Sequence, residues 1–146
     1  MSLADIHPIL DVIHNLDVGI IIMDSERRIE LWNGFMANHS RIEAEQALGV
    51  SIYQLFPELD PKWFEQKVKQ CTIIQNQAFV TWEQRSYVLR LHNDRPITGQ
   101  SDFMYQNVTF LPLINHKGEV DRIGLIIYDA TALASARLSL ANQAHP

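Results

Sequence analysis

Val18-Gly19-Ile20-Ile21-Ile22-Met23, then Asp24-Ser25-Glu26-Arg27, then Ile29-Glu30-Leu31-Trp32-Asn33, is the stretch that decides the fold. The first run is short, apolar and rich in β-branched side chains, which predicts a buried strand. The second is a turn. In the third, Ile29 and Leu31 alternate with Arg28, Glu30 and Trp32, the period of a second strand. Two strands joined by so short a turn form a hairpin, so the sheet they begin is antiparallel.

Toward the N-terminus, Ile6, Ile9, Leu10 and Ile13 fall on one face of a helix that should end near Asn15. Asp5 is expected to cap its start, with Pro8 in the first turn. Toward the C-terminus, residues 33–53 break into short helical pieces, one around Phe35 and Met36 and another over 42–48, with Gly49 as a left-handed stop. Ile52, Leu55 and Phe56 make a further apolar turn that ends at Pro57. Asp60-Pro61 is a cap followed by a first-turn proline and predicts a longer helix with Phe64, Val68, Cys71 and Thr72 on its apolar face.

The remainder is strand-rich. Tyr87, Leu89 and Leu91 alternate with Val88, Arg90 and His92, which predicts a strand. Residues 93–102, with Pro96 and Gly99, read as a loop. Strands are expected over 103–114 and 120–128 around the turn Asn115-His116-Lys117-Gly118, and a helix over 132–141. Strands segregated from helices make the class α+β.

The bulk numbers bound the function. A chain of 146 residues suffices for one core, and 47% hydrophobic with 20% charged residues is an ordinary globular balance. With 12 basic against 17 acidic side chains and no basic run, nucleic acid and anionic lipid are not expected as direct partners. The lone Cys71 allows no disulfide within the chain. The longest apolar run, 18–23, is far short of the ~20 residues a membrane span needs, and the N-terminus does not read as a signal peptide, so the expectation is a cytoplasmic module without membrane insertion.

Three stretches carry a family resemblance. The first is Ile29-Glu30-Leu31-Trp32-Asn33 with Phe35. The second is Ala47-Leu48-Gly49-Val50-Ser51-Ile52-Tyr53-Gln54-Leu55-Phe56-Pro57. The third runs from Val108-Thr109-Phe110-Leu111-Pro112-Leu113 through Gly118-Glu119-Val120 to Ile127-Tyr128-Asp129-Ala130-Thr131. In this order, on these elements, the chain resembles the PAS family over residues 6–141. It departs from the pattern at His39-Ser40, where a glycine often follows the position of Asn38. The resemblance implies a five-stranded antiparallel sheet with helices over one face, a flanking helix over 1–16, a core over 17–129 and the start of a signalling helix over 130–146. It also implies a sensory role, without catalysis in this chain, upstream of an output domain outside it.

The resemblance makes Asp129 and Thr131 the junction through which signal leaves. Independently of any family, the Asp129 carboxylate can accept the free N–H of Thr131 or Ala132 at the helix start, so a plain cap is the alternative reading. Leu133, Ala136 and Leu140 form a near-heptad stripe on the last helix, which, like the first helix, could pack across a homodimer or onto the sheet. The space between helices and sheet is either a ligand pocket or a filled core, and Trp32, Phe64, Val68, Cys71 and Arg90 are the candidates to line it. If the aliphatic face is the core, Arg90 points to solvent.

The six histidines show no metal-ligand spacing, and Cys71 lacks a second cysteine at CxxC spacing. A c-type haem is excluded by the absence of CxxCH. Light-sensing flavin members of the family that the chain resembles carry a reactive Cys soon after the Asn that ends the second strand. Residues 33–38 have none, so the resemblance implies no cysteinyl-flavin photochemistry, and the cofactor is otherwise open. Phosphate loops, nucleophile elbows and zincin helices are missing. Three readings remain: a sensor that moves its last helix, with a diguanylate cyclase or histidine kinase as output; a ligand-free dimerisation module; and a small enzyme, which would need a buried acid or histidine of perturbed pKa.

Overall fold

The hairpin forms as β1, Gly19–Met23, and β2, Ile29–Trp32, in a computed structural model that describes residues 3–93 and 102–144. Its turn is built by Asp24, whose carboxylate accepts from the backbone N–H of Glu26 at 2.8 Å and of Arg28 at 2.9 Å. Arg27 takes the left-handed conformation there, at φ 64°.

Around the hairpin the chain runs α1 (Leu3–Asn15), β1, β2, α2 (Gly34–Ser40), α3 (Ala44–Ala47), α4 (Ile52–Leu55), α5 (Pro61–Ile74), β3 (Ala78–Val80), β4 (Gln106–Ile114), β5 (Val120–Asp129) and α6 (Thr131–Ala144). The five strands make one antiparallel sheet in the order β2-β1-β5-β4-β3. The architecture is the α+β one expected. The long C-terminal strands pair with each other, and β5 then pairs with β1, so the first and last strands meet at the centre.

The helices cover one face. Asp60 caps α5 as expected, accepting from Lys62 N at 3.0 Å with Pro61 in the first turn. Phe64, Val68 and Cys71 of α5 are buried in one apolar core with Ile21, Met23, Val108, Phe110, Leu125 and Ile127 of the sheet. Helix α2 lies against β1 so closely that a Cβ at Gly19 would stand 2.7 Å from Met36 Sδ, which glycine alone avoids.

Two expectations fail. The helix α1 begins a turn earlier than its sequence cap suggested, so Asp5 lies in the first turn and Pro8 inside the helix. That end is exposed, so the hydrogen bond Pro8 cannot make costs little there. The strand expected over 87–91 does not form, and the strand on that edge is β3 instead. Val88 and Leu89 are neighbours and both are buried, which strict alternation forbids. Their backbone is satisfied by a side chain instead of a ladder: Gln106 Oε1 accepts from Val88 N at 3.0 Å and Leu89 N at 3.4 Å, and Gln106 Nε2 donates to Leu89 O at 2.6 Å. Of the loop expected over 93–102, Pro96 and Gly99 lie outside the described residues.

Candidate functional site: the strand-to-helix junction

Strand β5 ends at Asp129 and α6 starts two residues on. A helix start leaves N–H groups without partners. Asp129 Oδ1 accepts one of them, Thr131 N, at 2.9 Å. The Ala130 carbonyl begins the helical ladder by accepting from Ala134 N at 2.9 Å. Thr131 is buried and turns its Oγ1 toward the sheet, where it accepts from Tyr105 N at 3.1 Å. Tyr105 O in turn accepts from Ala130 N at 2.8 Å. The first turn of α6 is therefore clamped to the residue that precedes β4.

Beyond that turn most of the helix surface is exposed. Ala134 is fully buried, whereas Leu133, Ala136 and Leu140, the stripe singled out in the sequence, are exposed, Leu140 to 65%. Arg137 reaches Glu83 at 2.8 Å, an exposed ion pair of the kind worth little in stability. Helix α1 likewise leaves Ile9, Leu10 and Val12 open to solvent.

The five residues expected to line a pocket lie in different places. Phe64, Val68 and Cys71 share the buried face of α5. Phe64 packs on Phe110 with ring centres 5.4 Å apart and on Tyr53 at 5.9 Å. The Cys71 thiol is held by the Val68 carbonyl at 3.3 Å, and burial pushes its pKa up, away from a reactive thiolate. Trp32, at the end of β2, is buried and donates from Nε1 to Ile42 O at 3.0 Å. Arg90 is exposed and borders an open cleft of about 310 Å³ with Glu58, Leu91, His92 and Asp102.

Two residues that matter at the junction escaped sequence reading, Tyr105 and Gln106. For Gln106 a signal existed: it is in phase with the core positions Val108 and Phe110, and a polar residue in such a row must bond internally. Nothing marked Tyr105, because its contribution is its backbone. Among the described residues the buried polar ones are Asn33, Gln106, Thr109 and Thr131. Among those residues, too, no group of histidine, cysteine or acidic side chains could hold a metal ion, and no helix is long and apolar enough to cross a membrane.

A five-stranded antiparallel sheet with helices over one face, continued by an exposed C-terminal helix, defines a class of α+β domains. Within it, the family described as the PAS fold matches residues 11–128, and the chain belongs to that family. Among solved structures, it is similar to a sensory box sensor histidine kinase from Vibrio cholerae, at 23% identity and TM-score 0.62 over 88% of this chain and 94% of that one. A PAS domain from Colwellia psychrerythraea is similar at 14% identity and TM-score 0.65, over 88% and 98%. The PAS domain of nitrogen regulation protein NR(II) from Vibrio parahaemolyticus is similar at 15% identity and TM-score 0.55, over 88% and 99%. None of the curated proteins matches the chain.

Proposed function

We propose that this domain is a regulatory sensor whose state leaves through α6 to an output domain, a diguanylate cyclase or, as the alternative, a histidine kinase. The observation that carries the reading is the junction. Thr131 is bonded to both Asp129 and Tyr105, while the helix it starts presents an unpartnered apolar stripe. A ligand or partner that favours one arrangement of the strands over another would shift the population of helix positions by its differential affinity. The stripe on α6 and the open face of α1 support a homodimer, in which rotation or translation of paired helices reaches the output domains.

The direct test joins the chain through α6 to a diguanylate cyclase catalytic domain. Asp129→Ala is expected to change basal cyclase activity several-fold with expression and folding unaltered. Activity identical to the parent would remove the junction from signalling and leave Asp129 a plain cap.

A second reading, a dimerisation module without ligand, is supported by the filling of the interior. Phe64, Phe110, Met36 and Met104 are fully buried in the space where a ligand would sit. A UV–visible spectrum with native mass spectrometry separates the two. Added mass or a chromophore band supports the ligand sensor, and the bare chain mass supports the module.

A further inference from the structure

Residues Met104 to Gln106 continue toward the N-terminus the line of β4, beyond its ladder with β3. In an extended chain, successive residues direct their backbone N–H and C=O groups to opposite edges. Here both edges are used. On one, Met104 N donates to Leu91 O and Gln106 N to Ser86 O, each at 2.9 Å. On the other, Tyr105 N donates to Thr131 Oγ1 at 3.1 Å and Tyr105 O accepts from Ala130 N at 2.8 Å. The Gln106 amide adds its bonds to Val88 and Leu89, and Gln106 stands opposite Asp129 in the register of β4 and β5. Three consecutive residues are therefore bonded to segment 86–91 on one side and to the first turn of α6 on the other.

We propose that the segment Ser86–Asn93 is the input arm of α6, and that Gln106 is the positioning residue that couples arm to helix. The proposal rests on the reading of the Asp129–Thr131 junction as the exit for signal. The arm is suited to this by how it is held. A strand in its place would be fixed by a regular ladder, whereas here one side-chain amide carries the bonds at both Val88 and Leu89. Loss of that amide therefore frees two adjacent backbone positions of a segment whose Val88, Leu89 and Leu91 side chains are anchored in the core. It is also accessible. Glu58 lines both the cleft bordered by Arg90 and His92 and a second one, of about 270 Å³, bordered by Arg85 and Tyr87. Whatever occupies either cleft touches the arm within three residues of the bonds Gln106 makes. An arm displaced from Gln106 releases residues 104–106, and these release Thr131.

Because coupling between two sites is reciprocal, it is testable from both ends without a ligand. Amide hydrogen exchange is followed by NMR on the full chain, with each variant's global stability measured separately so that only exchange below the global limit is compared. Gln106→Met should speed exchange at Val88 and Leu89 about tenfold, the loss expected for a buried hydrogen bond. It should also speed exchange at Thr131 and Ala134 several-fold, although the Gln106 side chain bonds to neither. Thr131→Val, which keeps the shape and removes the acceptor for Tyr105, should speed exchange at Val88 and Leu89 several-fold. Should Gln106→Met fail to fold, Thr131→Val decides alone. Loosening confined to the mutated end in both variants overturns the proposal and makes Gln106 a purely structural amide. The outcomes are separable from those of the cyclase fusion: coupling with an unresponsive fusion overturns the exit reading, and a responsive fusion without coupling overturns only the arm.

Discussion

Asn33 uses every hydrogen-bonding position its side chain has. Its Nδ2 donates to Ile13 O at 2.9 Å and Val18 O at 2.8 Å, and its Oδ1 accepts from Ile20 N at 3.0 Å and Met36 N at 3.3 Å. One buried amide thus ties the end of α1, the start of β1 and the cap of α2 together. Gly34 beside it allows the approach, since a Cβ there would lie 2.5 Å from His14 O. Asn33→Ala should cost about 2–4 kcal/mol, because buried backbone groups lose their partner. It should also open the chain near Leu16 to proteases; unchanged urea midpoints and cleavage would show that α1 is held by other contacts. A second residue-scale device joins the hairpin turn to the helices. Arg27 donates from Nε and Nη2 to the two Glu65 oxygens, each at 2.9 Å, and Tyr53 Oη donates to the same carboxylate. Partial burial alone would raise the Glu65 pKa, but the hydrogen bonds from Arg27 and Tyr53 and the Arg27 charge together hold it below the usual carboxylate value. Burial, then the Glu65 hydrogen bond and charge, push the Tyr53 phenol upward, so it stays a donor. A depressed carboxyl contributes stability that is fully present above its unfolded value, about 4.3, and is lost as pH falls through the folded one. Glu65→Gln should therefore flatten the loss of stability as the pH falls below about 5. Identical slopes in wild type and variant would clear this trio of any part in acid unfolding.

At the scale of elements, α5 and α6 show what local signals specify. The cap and first-turn proline of α5 are read directly from Asp60-Pro61, because a cap is satisfied within a few residues whatever the rest of the chain does. The exposure of α6 follows from its sequence only in part, since its stripe says what it lacks and not what it meets. Ending the chain before Asp129 should leave a folded core, because few buried side chains of α6 contribute to it, and should weaken self-association. Sedimentation unchanged by that truncation would transfer the dimer contact to another face. The expected strand at 87–91 failed for a reason of scale: alternation states a preference for extended backbone, while a strand exists only where a partner offers a ladder. Ser86–Asn93 was offered a glutamine side chain, and the three-residue β3 took the edge of β4.

In the molecule as a whole, the sheet face turned away from the helices is also apolar. Across it, Ile20 pairs with Ile126, Ile126 with Thr109 and Thr109 with Phe79, and a second row joins Leu31, Ile22, Gly124 and Leu111. Antiparallel sheets with one solvated face usually carry polar residues there, so this one is suited to cover by a second copy. Ile126→Glu should lower self-association measured by sedimentation while the thermal transition of the core changes little. A dimer indifferent to that charge would be held by the helices alone. The sequence by itself determined the antiparallel hairpin, the capped helix α5, the long closing strands and the Asp129 cap, because each is written in the periodicity and capping of adjacent residues. Only the tertiary structure decided the sheet order, the strand that occupies the edge, the scatter of the expected pocket residues and the clamp of Tyr105 on Thr131. Those depend on which distant backbone groups find partners in the same place, and the choice among competing partners is made by the packed molecule.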